Sequence, residues 1–144
     1  MNNNKKILQQ LKKDGYRITK ARSAIIEFLS NNNQPLSASN IYNSLISKGL
    51  KINRATVYRE LVFLSAHDVV RRVRFPGKAT HYEINSGHYH HLVCMRCNSI
   101  QNVVLGKHLQ NHKRQIYERE KFKVVSHSLE FYGVCNSCDG KQGI

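Results

Sequence analysis

The stretch Asn53-Arg-Ala-Thr-Val-Tyr-Arg-Glu-Leu-Val-Phe-Leu-Ser-Ala-His-Asp-Val-Val-Arg-Arg-Val-Arg-Phe75 changes its hydrophobic period part-way along. Asn53 is a helix-capping residue type. Val57, Leu61 and Leu64 then recur at i, i+4 and i+7, the buried stripe of a helix over about 54–66. That stripe leaves Arg54, Ala55, Tyr58 and Arg59 on the opposite side of the first turns. From Val69 to Phe75 the chain is β-branched and basic, Pro76-Gly77-Lys78 is a turn, and Thr80–Ile84 reads as a returning strand. A helix followed by a basic hairpin is the last part of a winged helix-turn-helix.

Working upstream, two further helices complete that unit. Thr19 is placed to cap a helix over about 20–30 with Ile25, Ile26, Phe28 and Leu29 inward. Ser37 is placed to cap another with Ile41, Leu45 and Ile46 inward, ended by Gly49. A short helix over 5–13, closed by Asp14-Gly15, precedes them. Asn31–Pro35 reads as a polar loop. The fold class expected is α+β, with a winged-helix domain over 1–84 and a small α/β domain over 85–144.

The charge is uneven. Residues 1–84 carry 15 basic and 5 acidic side chains (net +10), whereas residues 85–144 carry 8 and 4 (net +4). A basic first half fits a polyanionic partner. Arg and Tyr on the first turns of a helix suit the major groove of double-stranded DNA, where guanidinium groups bridge phosphates or guanine edges. Arg71, Arg72, Arg74 and Lys78 would lie on the wing beside the backbone. No run reaches the ~18 apolar residues of a membrane span, so no membrane partner is expected. The N-terminus lacks an apolar signal segment, so a cytoplasmic protein is expected.

Downstream, His88-Tyr-His-His-Leu-Val-Cys-Met-Arg-Cys97 places histidines directly before a Cys-x-x-Cys pair. Cys135 and Cys138 form a second pair, and these are the four cysteines of the chain. Two such pairs supply the thiolates of a closed tetrahedral zinc site, structural because no position is left for water. A thioredoxin-like redox pair leaves the second pair unexplained, a deaminase needs a His-x-Glu paired with a Pro-Cys-x-x-Cys, which is missing, and an iron–sulfur cluster is the remaining rival.

Strands are expected through His91–Val93 and Ile100–Leu105, with a helix over about 107–120. A last strand over 124–134 would carry Val125, His127, Leu129 and Phe131 on one face. His88 and His90, two apart on a strand, could meet His127 on a second divalent cation, Fe²⁺ or Zn²⁺. Gln110 is the candidate fourth ligand, with His108 and His112 as alternatives. His91 points to the opposite face and could pair with Glu83. No carboxylate is placed as a general base beside these histidines, so an enzyme is not expected. A domain of about 60 residues needs a metal staple and a partner copy to bury enough surface.

These residues resemble the ferric uptake regulator family. The likeness runs from Tyr16-Arg-Ile-Thr-Lys-Ala-Arg22, through Arg54-Ala-Thr-Val-Tyr-Arg59, to the His88–Cys97 and Val125–Cys135 stretches. It implies a homodimer that binds an AT-rich palindromic operator as a metal-activated repressor. It implies DNA contacts by Tyr58 and Arg59, and by Arg17 and Arg22. Cys94, Cys97, Cys135 and Cys138 match the family's structural zinc. His88, His90 and His127 match three ligands of a second site whose usual Glu aligns with Gln110. A hinge-proximal sensor site keeps Glu83 and His91 only, since its other positions align with Pro35, Tyr89 and Asn102. Metal response is therefore expected through His88, His90 and His127, by fixing the geometry of the dimer. The other reading is a repressor with structural zinc and no metal sensing.

Overall fold

The computed structural model describes residues 3–87 and 89–140, apart from the side chain of His108. The chain divides into two compact units, Met1–Ser86 and Gly87–Ile144.

The first unit holds α1 (Asn3–Lys13), α2 (Lys20–Ser30), β1 (Leu36–Ser37), α3 (Ala38–Ser47), α4 (Arg54–Ala66), β2 (Val70–Val73) and β3 (His81–Ile84). The expected caps set the helix starts. The Thr19 side chain accepts from the Arg22 amide, and the Asn53 side chain accepts from the Thr56 amide at 2.8 Å. Ser37 forms a reciprocal capping box with Asn40. The apolar stripes meet in one core of Leu11, Ile25, Ile26, Leu29, Ile41, Leu45, Val57, Leu61 and Leu64, closed by Val70, Tyr82 and Ile84 of the hairpin.

The sheet runs β1-β3-β2 and is antiparallel, which makes the unit a winged helix. Strand β1 is not visible in the sequence because two residues carry no period, and Ser37 serves as strand end and helix cap at once. Ile46, expected inward, is exposed; it lies five residues after Ile41, off the stripe shared by Ile41 and Leu45.

The second unit holds β4 (His90–Cys94), β5 (Ile100–Val103), α5 (His108–Glu120), β6 (Glu130–Gly133) and α6 (Asn136–Asp139). Its sheet runs β5-β4-β6, antiparallel between β4 and β5 and parallel between β4 and β6. The strand expected over 124–134 shrinks to β6. Alternation makes a stretch suited to a sheet, but ladder formation needs a neighbouring edge. Only Glu130–Gly133 lie along β4, and Val125, expected on the buried face, is 86% exposed. Helix α5 exposes most of its length, with Leu109 and Lys113 half-covered.

Among the described residues, no helix is long and apolar enough to cross a membrane.

Candidate metal centres and nucleic-acid interface

The parallel pairing of β4 with β6 explains how cysteines so far apart in sequence converge. Cys94 lies opposite Gly133, so both strands end on the same side of the sheet and each then enters a Cys-x-x-Cys turn. The Met95 amide donates to the Gly133 carbonyl at 2.8 Å and ties the two exits together. Arg96, inside the first knuckle, donates to the Cys138 carbonyl at 2.8 Å and clips the second knuckle in place. Sequence reasoning passed over Arg96, since nothing in its spacing marks that contact.

All four thiols are free, and their sulfurs lie within 4.8 Å of one another. Cys97 Sγ and Cys135 Sγ are 3.7 Å apart. Four sulfurs at about 2.3 Å from a tetrahedral zinc stand about 3.8 Å from each other, so the cluster has the size that ion requires. Two amides, of Cys97 and Cys135, donate to Cys94 Sγ at 3.5 and 3.4 Å. Those donors favour the thiolate and bring Cys94 down from 9.0 to about 6. Cys97 is also lowered, chiefly by its hydrogen bond with Ser99. Cys138 is pushed up to about 12, first by sharing a proton with Cys135. Cys94 and Cys97 thus favour the thiolate and Cys138 the thiol, an unequal division among crowded, interacting sulfurs.

His90 lies buried on β4, and its ring centroid stands 5.3 Å from that of half-buried His127, with the planes 37° apart. Two imidazoles bound to one cation through bonds of ~2.1 Å at a tetrahedral angle place their centroids roughly 5 Å apart. His127 and Gln110 also line one concavity of about 630 Å³ together with Tyr89, Lys107 and Lys113. His88 lies outside the described residues, as does the side chain of His108. His112 is exposed on α5.

The two remaining hinge candidates belong to different units. Glu83 is buried on β3, where the Arg71 Nε donates to its carboxylate at 3.0 Å. His91 is buried on β4, flanked across the sheet by Asn102 of β5 and Glu130 of β6. Arg71, expected on the wing beside the DNA backbone, lies on β2 and is paired there with the buried Glu83 carboxylate.

On α4, the faces fall as the stripe requires. Val57, Leu61 and Leu64 are buried, whereas Arg54, Ala55, Tyr58 and Arg59 are exposed. The Arg54 guanidinium lies 4.6 Å from the centre of the Tyr42 ring, and Arg59 reaches the Thr56 hydroxyl at 3.2 Å. Arg17 is exposed in the loop before α2, and Arg72 and Arg74 are exposed on and beside β2.

Arg22 departs from its expected role. It is buried, its Nε and Nη2 donate to the two carboxylate oxygens of Glu60 at 2.8 and 3.1 Å, and its Nη1 donates to the Arg17 carbonyl at 2.6 Å. Its guanidinium also stacks on the Phe63 ring at 3.7 Å. With these groups engaged it does not present its charge to a phosphate. Glu60 escaped sequence reasoning because its partner lies 38 positions away.

The comparisons with known proteins now decide the lineage. The Ferric uptake regulator family matches residues 13–132. The chain belongs to the ferric uptake regulator family. It is 36% identical over 132 residues to the ferric uptake regulation protein of Legionella pneumophila, covering 90% of this chain and 96% of that one. It is 34% identical over 143 residues to the ferric uptake regulation protein of Bacillus subtilis, covering 95% of each. The solved ferric uptake regulator of Vibrio cholerae matches with a TM-score of 0.75 at 32% identity, over 88% of this chain and 98% of that one. Members of the family are transcriptional regulators rather than enzymes.

Proposed function

We propose that this regulator is a homodimeric, metal-responsive repressor of the cytoplasm that binds AT-rich palindromic duplex DNA. The winged helix over 1–84 binds the DNA, and residues 85–144 dimerise and hold metal. The observation that carries the reading is the exposed first-turn face of α4, where Arg54, Tyr58 and Arg59 project from a helix anchored by its buried stripe. Arg59 and exposed Arg17 contact phosphates, and Tyr58 reads base edges or a thymine methyl.

Dimerisation is supported by what the second unit leaves uncovered. Val104, Tyr117, Phe122, Val125 and Phe131 are exposed in the second unit, apolar surface that a partner copy would cover. Zn²⁺ is held by Cys94, Cys97, Cys135 and Cys138, supported by the sulfur spacing. A second cation, Fe²⁺ or Zn²⁺, is held by His90 and His127 with His88 and Gln110. The spacing of the His90 and His127 rings supports this assignment. The Arg71 partner of Glu83 argues for placing the response there rather than at the hinge.

The test is DNA affinity measured against added metal, with metal analysis of the same samples. Protein carrying zinc at the cysteines alone should bind operator DNA weakly and recover on adding Fe²⁺ or Zn²⁺. Affinity that ignores the second metal would leave a regulator with structural zinc and no sensing.

A further inference from the structure

We infer that Arg22 and Glu60 form a latch that positions Arg17 for DNA, so that a largely covered acidic residue strengthens binding to a polyanion. The inference rests on the reading of α4 as the DNA-contacting helix. Arg22 sits on α2, Glu60 on α4, and Arg17 in the loop before α2, so one guanidinium joins three segments. The side chains of Arg22 and Glu60 are only 11% and 14% exposed. Their fork-to-fork geometry fixes orientation as well as distance.

The loop is gripped at a second point beside it. The Tyr16 ring packs edge-on against Phe63 at 5.2 Å and against His67 at 4.5 Å, both from α4 or its C-cap. Phe63 carries the Arg22 guanidinium as well. Residues 16 and 17 are therefore held against α4 through an aromatic contact and through the Arg17 carbonyl. The Arg17 side chain is left exposed on a backbone that has little freedom. Glu60 lies one position after Arg59 and two after Tyr58, on a helix that its buried stripe of Val57, Leu61 and Leu64 anchors independently.

The sign of one substitution separates this from simple electrostatics. Glu60→Gln removes a negative charge close to the DNA-facing helix and leaves every basic residue of the chain in place. Electrostatics alone predicts equal or tighter DNA binding. The latch predicts weaker binding, because the amide cannot satisfy the guanidinium fork and Arg17 loses its fixed position. The expected loss is about tenfold, the size of one charged hydrogen bond. The dependence of log affinity on log salt should become shallower by about 0.9 for each protomer on the DNA, the share of one phosphate contact. Arg22→Lys keeps the charge and removes the fork, so it should behave like Glu60→Gln, whereas a direct phosphate contact by residue 22 would survive that change.

The experiment is a double-mutant cycle on full-length protein of unchanged metal content, reading operator affinity and salt slope, with Arg59→Ala as a reference. In an Arg17→Ala background, Glu60→Gln should cause no further loss and no further change of slope. Binding by Glu60→Gln that is unchanged or tighter overturns the latch, and so does a loss that simply adds to that of Arg17→Ala. Thermal unfolding is followed on each variant. If both Glu60→Gln and Arg22→Lys lose the folded first unit, the pair is a folding element and the proposal falls. Full affinity in Arg59→Ala would remove the reading of α4 itself. A weakened Arg59→Ala beside an unaffected Glu60→Gln removes only the latch.

Discussion

Chelating the cysteine-bound metal should destabilise the second unit and leave the first unchanged. Among the described residues, the buried aliphatic side chains of the second unit are Val93 and Ile100, against an aliphatic core in the first that spans four helices. At the usual 0.05–0.15 kcal/mol per residue, a unit of this size has about 3–9 kcal/mol of stability to lose. A cross-link between Cys94 and Cys135 closes a loop of about 40 residues, and the chain-entropy relation assigns that closure about 4 kcal/mol. A metal clip acts on the unfolded chain in the same way. Removing it therefore cancels about half or more of the unit's stability and raises its unfolded population about a thousandfold.

Hydrogen exchange read by mass spectrometry, before and after chelation, is the assay. Amides of β4 and β6, including that of Met95 bonded to Gly133, should lose protection. Amides of α2 and α4 should keep theirs. Undiminished protection in β4 and β6 after complete metal removal would refute the reasoning.

Replacing Asn53 by Ala removes the acceptor for the Thr56 amide and hydroxyl at the start of α4, at a cost of about 1 kcal/mol, which lowers the melting temperature of the first unit by about 4–8 °C. In metal-free protein near neutral pH, exposed Cys97, whose thiol is lowered, should be alkylated before Cys138, whose thiol is raised to about 12, as read by peptide mass spectrometry. Cys94 lies at about 6 in the fold against 9.0 when free, so its contribution to metal-free stability is fully present above pH 9 and is lost as pH falls through 6. Denaturation of the metal-free protein at pH 8.5 and 5.5 checks that sign. His127→Ala should reduce bound metal from two ions per chain to one and abolish the metal dependence of DNA binding, with the cysteine site still filled.

The first unit was legible because its signals are local. Thr19, Ser37 and Asn53 each cap a helix within three residues, and the stripe of α4 sorts its own faces. What the sequence hid depends on partners distant in the chain. Arg22 has the composition of a phosphate contact and the surroundings of a core ion pair, and only Glu60, 38 positions on, distinguishes them. Arg71 likewise reads as a wing cation until Glu83 is placed opposite it in the hairpin. The stretch 124–129 alternates like a strand yet remains outside the sheet, since periodicity describes a face and says nothing of the edge that must receive it. The cysteine cluster was legible from type and spacing alone, although the parallel strand pair that closes it was not.

That strand pair also links the two proposed metal sites. Strand β4 carries His90, His91 and Cys94, and β6 begins three residues after His127. The β4–β6 ladder sets Cys94 against Gly133 and His91 against Glu130 in one register. A slip of one residue would reverse every side chain along β6. The cysteines hold the far end of this ladder, so they also fix where the segment bearing His127 enters it. The 5.3 Å spacing of the His90 and His127 rings then depends on the thiolate cluster at the other end. Cys138→Ser should therefore weaken the second metal as well as the first, although Cys138 is not among its ligands. Titration of Zn²⁺ or Fe²⁺ into Cys138→Ser and into wild type decides the matter. An unchanged affinity at the histidine site would show that His127 is positioned by something other than the ladder.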